Sequence, residues 1–186
     1  MPVDPSKLEL RTYPDPVLRQ KAKPIAEVSE EVRKVGAAMI EVMRKADGIG
    51  LAGPQVGLAW RIFVADVPES DKRSASADPP TATKGPQVYI NPVLSKHTGE
   101  LEPYEEGCLS LPDIRGDVLR PPTVTITYTD IEGRQVTQTA AGLLARCWQH
   151  EVDHLDGVLI IDKMTQIFRM KNKSAIRDLE RGYEKM

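Results

Sequence analysis

The spacing of apolar residues predicts a helix in the first quarter of the chain. From Ser29 to Ala46 (SEEVRKVGAAMIEVMRKA) apolar side chains recur every three or four positions, as on one face of an α-helix. Ser29 is a favourable N-cap and acidic residues follow it, which specifies the first turn. Asp47-Gly48 predicts the end of the helix, with Gly48 supplying the left-handed conformation that stops helices. The predicted apolar face consists of Val32, Val35, Met39, Ile40 and Met43.

The middle of the chain changes to the patterns of β-strands. The segment TVTITYT alternates regularly, and the turn DIEGR leads from it into a returning strand. Residues 68–87 are rich in Pro, Ser, Ala and charge, which predicts a surface loop. The predicted strands are 60–67, 88–94, 123–129 and 135–139.

The last third of the chain returns to the helical period. Residues 141–155 (AGLLARCWQHEVDHL) are predicted to form a helix with Gly157 just past its end. A C-terminal helix is predicted over roughly 174–186. Strands grouped before a helix of core character indicate an α+β fold. We therefore expect mixed or antiparallel strands packed around a central helix at 141–155, within a single domain of residues 1–186.

Composition and charge narrow the class of protein. The chain has 186 residues, 40% hydrophobic and 28% charged, which disfavours disordered and membrane proteins. Its net charge of −2 argues against a strongly basic nucleic-acid binder, so neither a DNA nor a membrane partner is expected. The first residues (MPVDPSKLELRTYPDP) contain neither an apolar signal core nor a transit-like stretch. We expect a cytoplasmic protein of bacterial origin.

The stretch GIGLAGPQ at 48–55 fits the G-x-G-x-x-G pattern of dinucleotide-binding loops. That pattern is diagnostic only between a strand and a helix. Here a predicted helix precedes the glycines, a predicted strand follows them, and Pro54 and Gly57 oppose a helix. No helix N-terminus would face a phosphate, so a dinucleotide site is not expected.

A second motif, H-E-x-x-H, lies within the helix predicted at 141–155. His150 and His154 are four residues apart, so both imidazoles lie on one face and can bind one metal ion. Glu151 follows the first histidine directly, which places its carboxylate where a base for a metal-activated water must stand. The alternative is a solvated helix face that happens to carry two histidines.

A catalytic metal site usually has three protein ligands, and three candidates compete for the third position. Cys147 shares the helix face but lies about 10 Å along the axis from His154, at about 1.5 Å rise per residue. It is better interpreted as a small buried residue, although Cys108 and Cys147 could also form one disulfide. Glu180 or Glu184 could act as in glutamate-ligated metalloproteases. Cys108 lies in EGCLSLP (106–112). Helical periodicity does not choose between Cys108 and the glutamates.

Three segments in this order resemble the signature motifs of peptide deformylases: GIGLAGPQ, EGCLSLP and QHEVDHLDG. The opening YPDPVLR (13–19) is also similar to that family, so the resemblance covers nearly the whole chain. It implies one metal ion held by Cys108, His150 and His154, with Fe(II) as the physiological ion and Zn, Ni or Co as substitutes. It also implies removal of the formyl group from the N-formylmethionine of nascent polypeptides, with release of formate.

The same resemblance assigns roles to individual residues. Glu151 is the general acid and base, while the Gln55 side chain and the backbone N–H of Leu109 stabilise the oxyanion together with the metal. One departure from the family is Gly53, where Ala is usual; we expect it to leave the chemistry unchanged. The residues expected to bind the peptide and its methionine side chain are Ile49, Gly50, Tyr104, Gly107, Leu143 and Cys147.

Other residues have two interpretations on sequence alone. Glu106, Arg115 and Arg120 either form an ion pair or meet the peptide backbone, and His97 is expected at the surface. The C-terminal helix either docks on the ribosome through its basic residues or presents a solvated face. Two rival classes of protein stay open: a zinc endopeptidase using His150, His154 and Glu180, and a protein whose metal merely stabilises the fold through a closed four-ligand shell.

Overall fold

The computed structural model describes residues 3–183, and within them the fold is a mixture of helices and antiparallel sheets. Five strands form one antiparallel sheet in the order β1-β2-β3-β6-β7, and β4 and β5 form a separate hairpin. The strands are β1 Gly50–Ala52, β2 Ile62–Ala65, β3 Gln87–Thr98, β4 Glu102–Cys108, β5 Leu111–Arg120, β6 Thr123–Thr129 and β7 Gln135–Ala141. The helices are α1 Glu30–Lys45, α2 Gly142–Leu155, α3 Ile160–Lys163, α4 Gln166–Lys171 and α5 Lys173–Tyr183. The predicted α+β class and the C-terminal helix are confirmed.

Helix α1 forms where its apolar period predicts. The Ser29 side chain caps it by accepting a hydrogen bond from the Val32 N–H. The prediction that Gly48 supplies the left-handed residue at its end is wrong, because Asp47 adopts that conformation with φ 53°. Aspartate tolerates this region since its short polar side chain bonds locally. Gly48 instead allows a close approach: a Cβ there would lie 2.7 Å from Cδ1 of Leu109.

The five-stranded sheet lies between α1 and α2, and β2 shows why. Its four residues are all buried, with Ile62 and Val64 in the apolar cluster beside α1 and Phe63 and Ala65 in the cluster beside α2. Successive side chains of a strand point to opposite faces, so a strand covered on both sides is apolar throughout. Phe63 stacks on Tyr89, with ring centroids 4.4 Å apart.

The predicted strands are present with altered bounds. The run predicted at 60–67 shortens to Ile62–Ala65, whereas the one predicted at 88–94 extends to Gln87–Thr98. Strand β6 and the returning strand β7 pair in register through the predicted turn. Strand β1, the β4–β5 hairpin and the two short helices after α2 were not predicted.

The segment from 68 to 86 contains turns and bends between β2 and β3, without a strand or helix. Its end is held against the sheet, because the buried Thr83 hydroxyl accepts a hydrogen bond from the Val67 N–H at 2.9 Å. The last helix is described as far as Tyr183, so the end predicted at 184–186 lies outside the described residues. Among the residues described, none of the helices has the length and apolar character that crossing a membrane requires.

Candidate active site

The structure brings Cys108, His150 and His154 together at one point. Cys108 ends β4, and the histidines lie one turn apart on α2. Nε2 of His154 lies 3.2 Å from the Cys108 sulfur and 3.2 Å from Nε2 of His150, and all three ligand atoms lie within 4.8 Å of one another. Tetrahedral coordination with bonds of about 2.0–2.3 Å places neighbouring ligand atoms about 3.3–3.8 Å apart. The three donors therefore fit a single metal ion.

Both imidazoles are prepared to coordinate through Nε2. The Nδ1–H of His150 donates to Oε2 of Glu106 at 3.0 Å, an arrangement that leaves Nε2 as the free ligand atom. Burial holds the pKa of His154 well below its usual range, so this ring stays neutral. A neutral imidazole is the form that binds metals.

Glu106 is the centre of a buried ionic network behind the two histidines. Arg120 donates to both of its carboxylate oxygens, at 2.7 and 3.0 Å, and Arg146 donates to Oε1 at 2.9 Å. Arg120 also donates to Asp153 at 2.7 Å. Burial opposes ionisation of Glu106, but the hydrogen bonds from His150 and Arg120 outweigh it and hold its pKa well below its usual range. Glu106 and Arg120 thus form the ion pair, which is one of the two interpretations that the sequence leaves open.

Glu151 lies beside the donors and is buried. Burial raises the pKa of this carboxyl to about 7, and its Oε2 atom has no hydrogen-bond partner among the described residues. The Gly50 backbone presses against it, because a Cβ at Gly50 would lie 2.3 Å from Oε1 of Glu151. A carboxyl poised near neutral pH and aimed into a cavity suits proton transfer.

Gln55 approaches the donors from a 3-10 turn at Gly53–Val56. Its Oε1 accepts from the Ala52 N–H at 2.8 Å, which turns the side-chain NH₂ toward Ser110 Oγ at 3.2 Å and the Cys108 sulfur at 3.6 Å. The glycines of the motif thus form a short strand and a turn that orient an amide. Gly53 is required here by packing, because a Cβ would lie 2.6 Å from the Trp60 carbonyl oxygen.

A cavity of about 390 Å³ opens in front of this cluster. Glu151, Gln55 and Leu109 line it together with Cys108 and His150. Its wall also contains every residue predicted to bind substrate, namely Ile49, Gly50, Tyr104, Gly107, Leu143 and Cys147.

Several predicted alternatives do not meet the site. The Tyr13 hydroxyl donates to Glu180 at 2.8 Å, so this glutamate, one of the alternatives for the third ligand, is engaged outside the donor cluster; Glu184 lies outside the described residues. Cys147 is free and stays outside the donor cluster, with its sulfur 3.6 Å from the Ile49 carbonyl oxygen. Burial raises the pKa of its thiol well above the usual range, which disfavours thiolate ligation. Its suggested disulfide with Cys108 is absent.

The structure also gives the positions of two other residues with open or surface assignments. Arg115 is exposed and lines the cavity without joining the Glu106 pairs, and His97 is exposed on β3, as expected.

Sequence reasoning missed Ser110, Asp153 and Arg146. The available signal for Arg146 is its position four residues before His150, because residues at i and i+4 share a helix face. A second signal is Glu106, two residues before Cys108, since alternate residues of a strand lie on the same side. Arg146 on the helix and Glu106 on the strand have opposite charges, and their positions near the donors indicate a buried ion pair.

One sulfur and two imidazoles, beside a buried carboxylate in a cavity, define the class of a mononuclear metallohydrolase. Comparisons with known proteins identify the family. The family model described as polypeptide deformylase matches residues 7–170. A peptide deformylase 2 from Gloeobacter violaceus is 48% identical over 157 residues, covering 84% of this chain and 79% of the relative.

Solved structures agree with this match. Peptide deformylase from Thermotoga maritima superposes with a TM-score of 0.75 at 40% identity, covering 85% of this chain and 97% of that one. A peptide deformylase from Synechococcus elongatus in complex with actinonin gives 0.80 at 40% identity, covering 92% of this chain and 86% of that one. The chain belongs to the peptide deformylase family. It is thus a hydrolase of that family, which the comparisons support over an H-E-x-x-H endopeptidase.

Proposed function

We propose that this enzyme removes the formyl group from the N-terminal formylmethionine of nascent polypeptides and releases formate. Cys108, His150 and His154 hold one divalent ion, Fe(II) in the cell, with Zn, Ni or Co able to replace it. The ion, when bound, polarises a carbonyl and lowers the pKa of water. The observation that supports this proposal most directly is the convergence of the three donors beside a cavity that Cys108, His150 and Glu151 line.

The protein side chains perform the proton transfers. Glu151 accepts a proton from the attacking water as the new C–O bond forms, and then donates it to the amine nitrogen as the C–N bond of the formamide breaks. Its pKa of about 7 suits both steps, because the group gains and loses a proton near neutral pH. The Gln55 amide and the Leu109 backbone N–H donate to the developing oxyanion, which preorganised donors stabilise by several kcal/mol.

The peptide lies across the cavity as an added strand. Strand β1 is at the edge of the sheet, pairing with β2 alone among the described strands. The backbone of Gly50 on this edge and of Gly107 on β4 is free of side chains that would block an extended peptide. The methionine side chain enters the part of the cavity formed by Ile49, Leu143, Cys147 and Tyr104.

The whole chain, residues 1–186, acts as one catalytic domain in the cytoplasm of a bacterium, organised around α2 as its central helix. Helix α5 contacts the ribosome through Lys173, Arg177 and Arg181. Removing residues from Ser174 onward should weaken co-sedimentation with ribosomes, and unchanged co-sedimentation would argue against this contact.

A formate-release assay tests the proposed reaction. The enzyme is loaded anaerobically with Fe(II) or Ni(II) and given formyl-Met-Ala-Ser, with chelator-treated enzyme as the control. Formate release by the loaded enzyme alone is the expected result. Cleavage of internal peptide bonds without formate release would support the endopeptidase instead. Metal content separates the ligand sets: Cys108→Ser should lose the metal, and Glu180→Gln should keep it.

A further inference from the structure

The Arg146 side chain bridges the two parts of the protein that supply the metal donors. It lies on α2, one turn before His150, and its guanidinium reaches the β4–β5 hairpin that carries Cys108. We infer that Arg146 is a positioning residue: it holds the hairpin at the distance from α2 at which the sulfur and the two imidazoles meet. This inference rests on the proposed metal-dependent function.

The contacts of Arg146 join both strands of the hairpin. Nη1 donates to Oε1 of Glu106 and to the Val118 carbonyl oxygen, both at 2.9 Å, and Nη2 donates to the Glu102 carbonyl oxygen at 2.9 Å. Glu102 and Glu106 belong to β4 and Val118 to β5. A planar guanidinium with fixed donor directions therefore determines the position of the hairpin relative to the helix.

Arg146 also acts on His150 through a shared partner. The two residues bind different oxygens of the Glu106 carboxylate, Arg146 at Oε1 and His150 at Oε2. Arg120, at the end of β5, donates to both oxygens and also to Asp153 of α2, so it too ties the hairpin to the helix, but it makes no bond to the hairpin backbone in the described structure. Arg146 is thus the residue of α2 whose side chain joins the carboxylate that orients a histidine ligand to the backbone of both strands.

Burial makes these contacts difficult to replace. The Arg146 side chain is 10% exposed and the Glu106 side chain 6% exposed, so water cannot easily take over the lost bonds. The exposed ring of Tyr104 lies over the guanidinium, with Cζ 5.2 Å from the ring centroid. Arg146 consequently supports one wall of the cavity as well as the donor set.

Two variants and a matched control test the inference. Arg146→Met removes all three hydrogen bonds at similar volume, and Arg146→Lys keeps the charge but cannot span three acceptors. Arg61→Met is the control, because Arg61 ties Asp156, the residue that follows α2, to strand β3: it donates to Asp156 at 2.8 Å and to the Pro92 carbonyl oxygen at 3.2 Å, and it makes no bond to the hairpin or to the three donors in the described structure. Each protein is stripped, loaded with Co(II) anaerobically, and compared by its absorption spectrum, its Co(II) affinity in chelator competition, and its Tm.

We expect Arg146→Met to weaken Co(II) binding roughly 10–100-fold, the range for residues that orient metal ligands. It should also shift the thiolate and d–d absorption bands, whereas Arg61→Met should lower Tm alone. Arg146→Lys should fall between Arg146→Met and the wild type. If Arg146→Met does not fold, Arg146→Lys decides by the same measurements. A folded Arg146 variant with wild-type affinity and spectrum would overturn the inference, while a wild type that binds no Co(II) would overturn the proposed function.

Discussion

Helices α1 and α2 pack on opposite faces of the same sheet but are built on different principles. Helix α1 has a Ser29 cap, acidic residues in its first turn and basic residues in its last, all favourable to an isolated helix. Helix α2 has no side-chain cap, and it buries Arg146, Glu151 and His154 in addition to its apolar residues. The first is stabilised locally and the second by what surrounds it.

This difference separates a helix that adds to the stability of the fold from a helix whose buried polar groups reduce that stability and belong to the proposed site. The buried face of α1 is apolar, so it contributes hydrophobic stabilisation without a polar cost. On α2 one carboxylate oxygen of Glu151 has no hydrogen-bond partner in the part of the chain that the structure describes, and paired charges are held away from water; both arrangements cost stability. Substitutions in α1 should therefore change stability, and substitutions on the cavity face of α2 should change activity.

The largest effect is expected at Glu151. Glu151→Gln keeps the shape of the side chain but removes the proton acceptor and donor, so kcat for formate release should fall about 1,000-fold, equivalent to about 4 kcal/mol. Metal content, measured on the same samples, should match the wild type because Glu151 lies outside the donor cluster. A rate within about tenfold of the wild type would remove Glu151 from the mechanism and undo the contrast between the helices.

The converse effect is expected on α1. Met39 is fully buried in the apolar cluster beside the sheet, so Met39→Ala should lower the free energy of unfolding by about 2–5 kcal/mol. Urea denaturation measures this change, and kcat/KM per folded molecule should stay at the wild-type value. Met39→Leu is the control, since a swap of similar volume should cost less than about 1.5 kcal/mol. Loss of activity at unchanged stability would show that α1 also supports the site.

The contrast between local and tertiary stabilisation also explains which elements the sequence predicts and which it does not. Helix α1 and strands β6 and β7 follow local rules of spacing and capping, and they form as predicted. Strand β5 alternates in burial too, but its inward positions 114, 116, 118 and 120 include Gly116 and Arg120. A Cβ at Gly116 would lie 2.8 Å from Cβ of Phe168, and Arg120 is buried by its ion pairs. The hydropathy pattern of β5 therefore does not predict a strand.

Sequence motifs predict the residues of the donor cluster, but they do not predict Arg146, which supports that cluster. The motifs place Cys108, His150 and Glu151, because the chemistry proposed for each of them needs its residue type. Arg146 acts through bonds to the backbone of a hairpin that hydropathy does not reveal, so its role depends on tertiary structure. The left-handed residue at the end of α1 was misplaced for a similar reason, since packing of Leu109 against Gly48 is a tertiary contact.

The smallest expected effect is a pH dependence of stability in the metal-free protein. Burial raises the pKa of Glu151 from its usual 4.5 to about 7, so the folded state binds this proton more tightly than the unfolded state. The stabilisation from this group is complete below pH 4.5 and is lost as the pH rises through about 7. Relative to Glu151→Gln, the wild type should therefore lose roughly 2–3 kcal/mol of unfolding free energy between about pH 5 and pH 8.

Urea denaturation of the two metal-free proteins at both pH values measures this loss. Glu100→Gln, at an exposed carboxyl, controls for removal of a charge. The difference between wild type and Glu151→Gln reports this carboxyl together with its interaction with His150, because the charge of each group shifts the pKa of the other. A constant difference across the pH range would mean that Glu151 is as well solvated as a surface carboxyl. Glu151 would then lack the proton affinity that the proposed role requires. The loss of stability that we assign to its burial on α2 would also be absent.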